Sequence, residues 1–434
     1  MTDKLNQFLA NRRSVLMGGA ALGVTSSGLF GRAAMAAPDT PISFIGWQFQ
    51  PQMVEENVAI FQDLYDENVA YELVSGDYPP IAETKLLGGQ AIDMLYAEED
   101  RVARWNIAGW TRDLEGLPGV EEIKEGLYPA SLSSLSLPDG RFAAMPYYAG
   151  HLAFMYNSEA LEQAGLAVPT TLDELLDACR ALKEQGISAA PFNGSWSQQW
   201  PALSWSLFGT WYAEGAQVFD ADGNFVDDDA LRKVLEFYRS LYAEGLVVED
   251  IMTQPNEGIP AFSSGAHVFT FHHDYNQSVF NDPELSQIAG KVKNALMPGT
   301  TQSTFSWTAT YLMGANADAD RVWNMLQFFG GKAQDGEYHV CKKWALTFGL
   351  GSAHKELMAD PDVVASFSRW RDLDVTNAQI EKATARSIAK EIWFSEWDLY
   401  MMQQAQEYIR GTGTTDELVE KLASQAKRLK SEYE

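Results

Sequence analysis

Along the first part of the chain, the spacing of apolar residues alternates between the period of two typical of strands and the period of about 3.6 typical of helices. This pattern predicts alternating strands and helices. The strands are predicted at 42–46, 69–74 and 92–96, and the helices at 53–65, 80–87 and 100–108. Such an alternation is typical of an α/β domain with a doubly wound sheet. In sheets of this kind, ligands bind at the carboxyl ends of the strands.

The same alternation resumes beyond residue 157. Further helices are predicted at 170–185, 197–212 and 230–244, and further strands at 189–192, 266–271 and 304–313. From residue 318 onward the pattern predicts helices only, ending in a charged amphipathic helix at 414–430. The chain therefore continues as an α/β protein with a helical C-terminal region.

The segment 139–157 carries a strand pattern interrupted by proline. A Pro-Asp-Gly turn leads into a short apolar run, Pro146 follows, and a second run after Tyr147-Tyr148 ends at Tyr156-Asn157. Because proline cannot donate a ladder hydrogen bond, the pattern predicts a strand that stops at Pro146 and restarts. Two interpretations fit: a hairpin within one domain, or a chain that crosses between two lobes.

Length, charge and cysteine content narrow the class of protein. The 434 residues predict about two domains, and the formal net charge of −27 argues against nucleic acid or an anionic membrane as a partner. Cys179 and Cys341 are expected to be buried or idle thiols, with a disulfide between them left open. The sequence has no zinc or iron–sulfur spacing, so we expect no metal or cofactor.

The first 36 residues predict an export signal. Arg12-Arg13 precedes a weakly apolar region at 18–30, and Ala34-Met35-Ala36 offers a small-residue cleavage site. The apolar region is too short and too rich in glycine to span a bilayer. We therefore expect a twin-arginine signal peptide and a periplasmic mature protein. Since that route carries folded cargo, a cofactor-loaded enzyme and a binding protein both remain open.

Three further motifs carry a resemblance to a known family. They are Gly88-Gly89-Gln90-Ala91-Ile92-Asp93, Pro169-Thr170-Thr171-Leu172-Asp173-Glu174 and Phe262-Ser263-Ser264-Gly265-Ala266. Together with the segment 139–157 they occur in family order, and the chain resembles extracellular solute-binding protein family 1, the carbohydrate-binding proteins of ABC importers. The resemblance covers nearly the whole mature chain, although Leu172 replaces the tryptophan usual in the second motif.

The resemblance implies an α/β, two-lobed periplasmic-binding-protein fold (type II-like) with discontinuous lobes, a hinge and a ligand cleft between the lobes. The N-terminal lobe would comprise 37–147 and 298–330, and the C-terminal lobe 148–297 and 331–434, with crossings near 145–150, 297–304 and 328–334. The implied function is non-catalytic. A monomer captures a mono- or oligosaccharide, or a sugar derivative, by hinge closure and delivers it to the permease subunits.

A saccharide cleft needs aromatic faces beside hydrogen-bonding side chains. The predicted ligand contacts are Trp47, Gln48, Glu99, Asp100, Tyr148, His151, Trp196, Gln198, His273, Asp274, Tyr275, Trp307 and Trp397. By resemblance, Tyr275 lies where the family has a stacking aromatic residue. Also by resemblance, Gly150 stands where a member of the family has a sugar-contacting acid, which leaves room that His151 is a candidate to fill. Core packing and helix capping are the alternatives for the aromatic and acidic residues.

Two other functions stay open on the residues alone. The acidic residues Glu98, Glu99, Asp100 and Asp274 would suit a polyamine or another small cation bound in the same fold. An exported glycoside-acting enzyme is the second alternative, since its two carboxylates need no fixed spacing. The sequence has no nucleophile elbow, phosphate loop or dinucleotide fingerprint in support of an enzyme.

Overall fold

The computed structural model describes residues 40–199, 202–253 and 258–433. The predicted signal segment 1–36 lies outside these residues. Over the described residues, ten strands belong to one continuous sheet. The strands are β1 (Ile42–Trp47), β2 (Val69–Val74), β3 (Met94–Ala97), β4 (Thr111–Arg112), β5 (Met145–Asn157), β6 (Phe192–Gly194), β7 (Phe269–His273), β8 (Val292–Ala295), β9 (Thr304–Gly314) and β10 (Ala383–Ala385).

Helices cover the faces and the ends of this sheet. Those before β7 are α1 (Pro51–Tyr65), α2 (Tyr78–Leu87), α3 (Glu99–Ile107), α4 (Val120–Gly126), α5 (Pro129–Ser134), α6 (Ser158–Ala164), α7 (Leu172–Glu184), α8 (Ala202–Glu214), α9 (Asp229–Ala243) and α10 (Gly258–Ser263). Those after β7 are α11 (Asn276–Phe280), α12 (Ala319–Gly330), α13 (His339–Phe348), α14 (Lys355–Met358), α15 (Pro361–Phe367), α16 (Leu373–Lys382), a 3-10 turn (Ser387–Lys390), α17 (Phe394–Ile409) and α18 (Thr415–Tyr433). None of these helices is both long and apolar enough to cross a membrane.

The sheet runs through two hydrophobic cores. Its strand order is β2-β1-β3-β9-β5-β7-β6, with β1, β2 and β3 parallel and β9 antiparallel to both β3 and β5. The first core surrounds β1 to β3, where Phe44 and Tyr96 are buried. The second core surrounds β6 and β7 together with α7 to α9 and α17, where Phe192 and Trp211 are buried. Each core defines one lobe.

Two long strands belong to both lobes. In β5, Met145 lies in the first core and Phe154 in the second, and in β9, Tyr311 lies in the first and Phe305 in the second. The first half of β5 pairs with β9, and the second half pairs with β7 and β8. The segment predicted to cross between two lobes therefore does so, and the hairpin interpretation is wrong.

Pro146 does not end a strand, contrary to the sequence prediction. The strand β5 continues through it, with a shift of register between Pro146 and Tyr148. Proline lacks a donor, but it is tolerated near the beginning of a strand and at an irregularity, where no ladder bond is required of it. The predicted break is thus a bulge that lies next to the crossing.

The C-terminal region differs from the prediction in two respects. It is not wholly helical, because β10 pairs in parallel with β9. The prediction missed β10 because a strand of three residues is too short to show a period of two. Trp344 lies in the first core, whereas Ile388 and Trp393 lie in the second. The lobe boundaries remain a prediction, and these positions favour a third crossing later in the chain than 328–334.

Both cysteines are free and buried. Burial raises the pKa of Cys341 to about 12 and also raises the pKa of Cys179 well above its usual value. Because the thiolate is the reactive form, we expect neither thiol to react with Ellman's reagent in the native protein, and both to react in guanidinium chloride. Rapid reaction of one thiol equivalent in the native protein would contradict this placement.

Candidate functional site

A cleft of about 790 Å³ lies between the two lobes. The first lobe lines it with residues that follow β1 and β3 and with the beginning of α2, and the second lobe with residues 198–199 and part of α17. The cleft is therefore at the carboxyl ends of two parallel strands, as expected for this kind of sheet. Of the predicted contacts, Trp47, Gln48, Asp100 and Gln198 line it.

Trp47 is held in a fixed orientation at the end of β1. Its ring stacks on Tyr96, with ring centres 4.6 Å apart and an interplanar angle of 16°, and meets Tyr78 edge to face at 5.6 Å. The Tyr78 hydroxyl group donates to the carbonyl oxygen of Tyr96 at 2.9 Å, so these two residues, which both contact the Trp47 ring, are also bonded to each other. Gln48 follows on the exposed loop before α1. An aromatic surface and an amide thus meet at the cleft wall.

Asp100 and Arg101 enter the cleft from the first turn of α3. They form an ion pair with each other, and Arg101 Nε lies 3.9 Å from Glu83 Oε1. Ser395 of the second lobe donates its hydroxyl group to Asp100 Oδ2 at 3.1 Å. Within the described part of the chain, Asp100 Oδ1 and Arg101 Nε are buried without a hydrogen-bond partner. One acceptor and one donor are therefore available beside the cleft.

Three further carboxyl groups line the cleft: Asp77 before α2, Glu98 directly after β3 and Asp398 on α17. Burial raises the pKa of Glu98, and the guanidinium groups of Arg101 and Arg386 offset this in part. Burial also raises the pKa of Asp398, whose Oδ1 accepts a hydrogen bond from Ser204 Oγ at 2.5 Å. The sequence suggested Glu98 only as a ligand for a cation. It did not suggest Asp398, because α17 lies about 300 residues after Glu98 and no local pattern connects the two.

Glu99 lies behind the cleft and does not line it. Its side chain is 4% exposed, with Oε1 at 3.1 Å from Arg386 Nε, and its Oε2 accepts from Ser134 Oγ at 2.9 Å. Arg386 also donates to Ser204 Oγ at 3.0 Å. The prediction of Glu99 as a ligand contact is thereby corrected, because both carboxylate oxygens are engaged in a bond network that joins the lobes.

Four of the predicted residues meet in an aromatic cluster at the crossing of β5 and β9. Trp307 lies 4.4 Å from His273 between ring centres, and Tyr275 stacks on His273 at 5.6 Å. Tyr148 packs edge to face on both Tyr275 and Trp307. Trp205, which stacks on Trp307 at 5.6 Å, was missed as an individual residue, although the aromatic helix that carries it was predicted.

An electrostatic effect links this aromatic cluster to one residue of the cleft. Burial chiefly raises the pKa of Tyr148, and Tyr275 and Glu98 raise it further. Glu98 lines the cleft, whereas Tyr148, His273, Tyr275 and Trp307 are not among its lining residues. Both Tyr148 and Tyr275 pack against the two cores, so the cluster lies where the two lobes meet.

His151 and Asp274 are buried on the hinge with Arg371. Arg371 donates to Asp274 Oδ2 at 3.0 Å, and the other carboxylate oxygen accepts from the backbone of His151 at 3.4 Å. A Cβ atom on Gly150 would lie 3.0 Å from Asp274 Oδ1 and from the ring of Trp307. Asp274 and Trp307 therefore bound the space at Gly150 closely, and the suggestion that His151 fills it stays a prediction.

Trp196 and Trp397 are fully buried in the second core. Trp397 donates its indole N–H to the carbonyl oxygen of Leu422 at 3.0 Å, and Trp196 packs against Tyr238 at 4.9 Å. A ring without exposed surface cannot stack on a ligand, so both predictions of a ligand contact are corrected. The core-packing interpretation holds for these two residues.

Comparison with known proteins gives a family and curated relatives that include a mannitol-binding protein. The family described as bacterial extracellular solute-binding protein matches residues 58–366. The mannitol-binding protein of Pseudomonas aeruginosa is 25% identical over 289 residues, which are 64% of this chain. The matched region spans 60% of the length of that relative.

Solved structures share the fold over nearly the whole chain. The maltose-bound MalE3 protein of T. maritima has a TM-score of 0.76 at 18% identity, covering 90% of this chain and 99% of that one. The ribitol complex of an ABC transporter solute-binding protein from Agrobacterium radiobacter K84 gives 0.74 at 18% identity, covering 90% and 100%. The D-mannitol complex of one from Agrobacterium vitis S4 gives 0.72 at 18% identity, covering 90% and 98%. These likenesses show a two-lobed binding-protein fold.

Proposed function

The chain belongs to the family of bacterial extracellular solute-binding proteins, and on that premise we propose that it captures a carbohydrate or a polyol for an ABC importer. The observation that carries the proposal is the inter-lobe cleft of about 790 Å³, which combines the ring of Trp47 with polar side chains from both lobes. Sugars and polyols present C–H groups to an aromatic surface and hydroxyl groups to amides and carboxylates. The cleft offers both kinds of partner.

The proposed contacts fall into two groups. Gln48, Asp100, Arg101 and Gln198 supply donors and acceptors around the ring of Trp47. As a second group we propose the hinge cluster of Tyr148, His273, Tyr275 and Trp307, whose rings pack on one another, as an aromatic floor that the ligand would reach on closure. The unpartnered atoms Asp100 Oδ1 and Arg101 Nε support this arrangement, because a ligand hydroxyl group accepts from one and donates to the other.

Binding is proposed to act through the hinge, without catalysis. Ser395 and Asp100 already join the two lobes across the cleft, and a ligand that contacts both walls would favour the closed arrangement. We further propose that the protein is a monomer exported by the twin-arginine route and that it delivers its ligand to permease subunits. The relatives with bound or named polyols, mannitol and ribitol, support the ligand class.

Thermal unfolding of the purified mature protein tests this proposal. A ligand present at about 100 times its Kd should stabilise the folded protein by about 2.7 kcal/mol, because it binds the folded state alone. The panel contains D-mannitol, ribitol, maltose and further sugars, with putrescine and spermidine in parallel. A response to the polyamines alone would overturn the proposal in favour of a polyamine-binding protein, and turnover of an aryl glycoside would overturn it in favour of an enzyme.

Replacing Trp47 with alanine is expected to weaken binding of any responding sugar. Loss of an aromatic surface that the ligand covers removes about 1.5 to 3 kcal/mol, or roughly tenfold to a hundredfold in Kd. Isothermal titration calorimetry measures the change. The matched control is Trp110→Ala, a half-buried tryptophan outside the cleft. Equal affinity of W47A and wild type would remove Trp47 from the site.

A further inference from the structure

The charged side chains that line the cleft are unequal in sign. Among the described lining residues, Arg101 provides the single guanidinium group. Four residues provide carboxylates, namely Asp77, Glu98, Asp100 and Asp398. Asp77 is exposed at the mouth of the cleft, whereas Asp398 is only 6% exposed. The imbalance is thus present in the interior of the cleft as well as at its rim.

The nearby cations are already engaged with other carboxylates. Arg101 pairs with Asp100 and lies near Glu83. Arg386 lies behind the cleft wall, where it is bound to Glu99. Lys390 is partly buried near the same glutamate. Burial lowers the pKa of Lys390, and the negative charge of Glu99 opposes this shift. Apart from Asp77, which is exposed at the mouth, two lining carboxyl groups are left without a cation of their own among the described residues.

Glu98 and Asp398 are those two groups. Within the described part of the chain, neither one forms an ion pair at 4.0 Å or less. Asp398 is close enough to Glu98 to raise the pKa of Glu98, and burial raises the pKa of both groups, while Arg386 and Arg101 offset these shifts only in part. Closure of the cleft on a neutral ligand would remove more water from these carboxylates without supplying a charge, which is unfavourable. A positive charge on the ligand would remove that penalty.

Resting on the proposed function, we propose that the ligand is a cationic sugar derivative, an amino sugar or amino polyol, whose ammonium group binds beside Glu98 and Asp398. The rest of the cleft favours this class over a simple polyamine. Trp47, Gln48 and Gln198 provide an aromatic surface and amides, which match C–H and hydroxyl groups but have no counterpart in a polymethylene diamine. The charge and the hydroxyl groups are therefore recognised by different parts of one site.

Matched pairs of neutral and cationic ligands test the inference by calorimetry at neutral pH. The pairs are sorbitol with N-methyl-D-glucamine, glucose with glucosamine, and cellobiose with the corresponding glucosamine disaccharide. An opposite charge at 4–6 Å typically changes a proton affinity by about 1 to 3 pKa units. By the same interaction, we expect the cationic member of the responding pair to bind at least about tenfold more tightly.

Variants of the two carboxyl groups show whether they carry the preference. Glu98→Gln and Asp398→Asn keep the shape of each side chain and remove its charge. Each is expected to reduce the ratio of neutral to cationic Kd by about tenfold, while binding of the neutral member changes little. The matched control is Glu420→Gln on the exposed face of α18, which makes the same change of net charge away from the cleft lining and should leave the ratio unchanged.

The outcomes separate this inference from the proposed function. Binding of sorbitol, glucose or cellobiose as tightly as their amino counterparts would overturn the inference and leave the proposed function intact. A preference for the cationic member that survives in both E98Q and D398N would also overturn it. A complete lack of response to every sugar and polyol, neutral or cationic, would overturn the proposed function and the inference together.

Discussion

Replacing Arg386 with alanine is expected to lower the free energy of unfolding by about 3 to 5 kcal/mol, because the change leaves a buried carboxylate without its partner. The side chains of Arg386 and Glu99 are 3% and 4% exposed, with Arg386 Nε at 3.1 Å from Glu99 Oε1. The guanidinium group also donates to Ser204 Oγ and lies 4.5 Å from the ring centre of Phe305. Urea denaturation followed by tryptophan fluorescence measures the change.

The loss of stability in R386A should depend on pH. Burial raises the pKa of Glu99, and Arg386 lowers it in part, so removal of Arg386 raises the folded-state pKa further above the unfolded value of about 4.3. A carboxyl group with a raised folded-state pKa destabilises the fold increasingly as pH rises from the unfolded pKa to the folded one. The difference from wild type should be small near about pH 4.5 and larger near about pH 8.

A surface arginine provides the control for this experiment. Arg180 pairs with Glu244 through side chains that are 46% and 36% exposed, so R180A should cost about 1 kcal/mol or less. The double variant Arg386→Met with Glu99→Gln should lose less stability than R386A, because no charge is left unpaired. An R386A protein as stable as R180A, or a loss that does not change with pH, would contradict the role given to the buried pair.

Introducing an acid at residue 150 is expected to destabilise this protein by about 3 kcal/mol or more. In Gly150→Asp, the new Cβ would lie 3.0 Å from both the carboxylate of Asp274 and the ring of Trp307. The added charge would also face Asp274, which already pairs with Arg371. The variant should consequently unfold at a lower urea concentration and bind ligand more weakly, since Trp307 belongs to the hinge cluster.

Two variants separate the space effect from the charge effect at this glycine. Gly150→Ala adds only the Cβ atom and should cost about 1 to 3 kcal/mol by overpacking. Gly126→Asp places the same acid at the end of α4, where a Cβ atom meets nothing within 4 Å, and should change stability little. If G150D were as stable as wild type, the close packing of Asp274 and Trp307 against Gly150 would be refuted.

The fold was largely predictable from the sequence because its signals are local. The strands β1 to β3 and the helices between them follow directly from apolar periodicity. The helix predicted at 170–185 is capped by Thr171, whose hydroxyl group accepts a hydrogen bond from the backbone of Glu174 at 3.2 Å. By contrast, β10 gave no signal, since three residues do not establish a period.

The site was predictable only in part because its interactions connect distant segments. Trp47 and Asp100 could be found, since each follows a predicted strand and therefore lies at the cleft edge. The partner of Glu99 is Arg386, 287 residues further on, and no local pattern marks such a pair. Trp397 looked equally suitable for a cleft, because an aromatic helix does not show which of its faces the core covers.

The continuity of β5 and β9 through both lobes has a consequence for how the molecule comes apart. Each strand provides side chains to both cores, so neither core can lose its packing while the other keeps complete strands. The two lobes should therefore melt in a single cooperative transition, with calorimetric and van't Hoff enthalpies in agreement. A fragment limited to one lobe would lack the middle of its sheet. A ligand bound at one wall of the cleft would stabilise both lobes equally, because they unfold together.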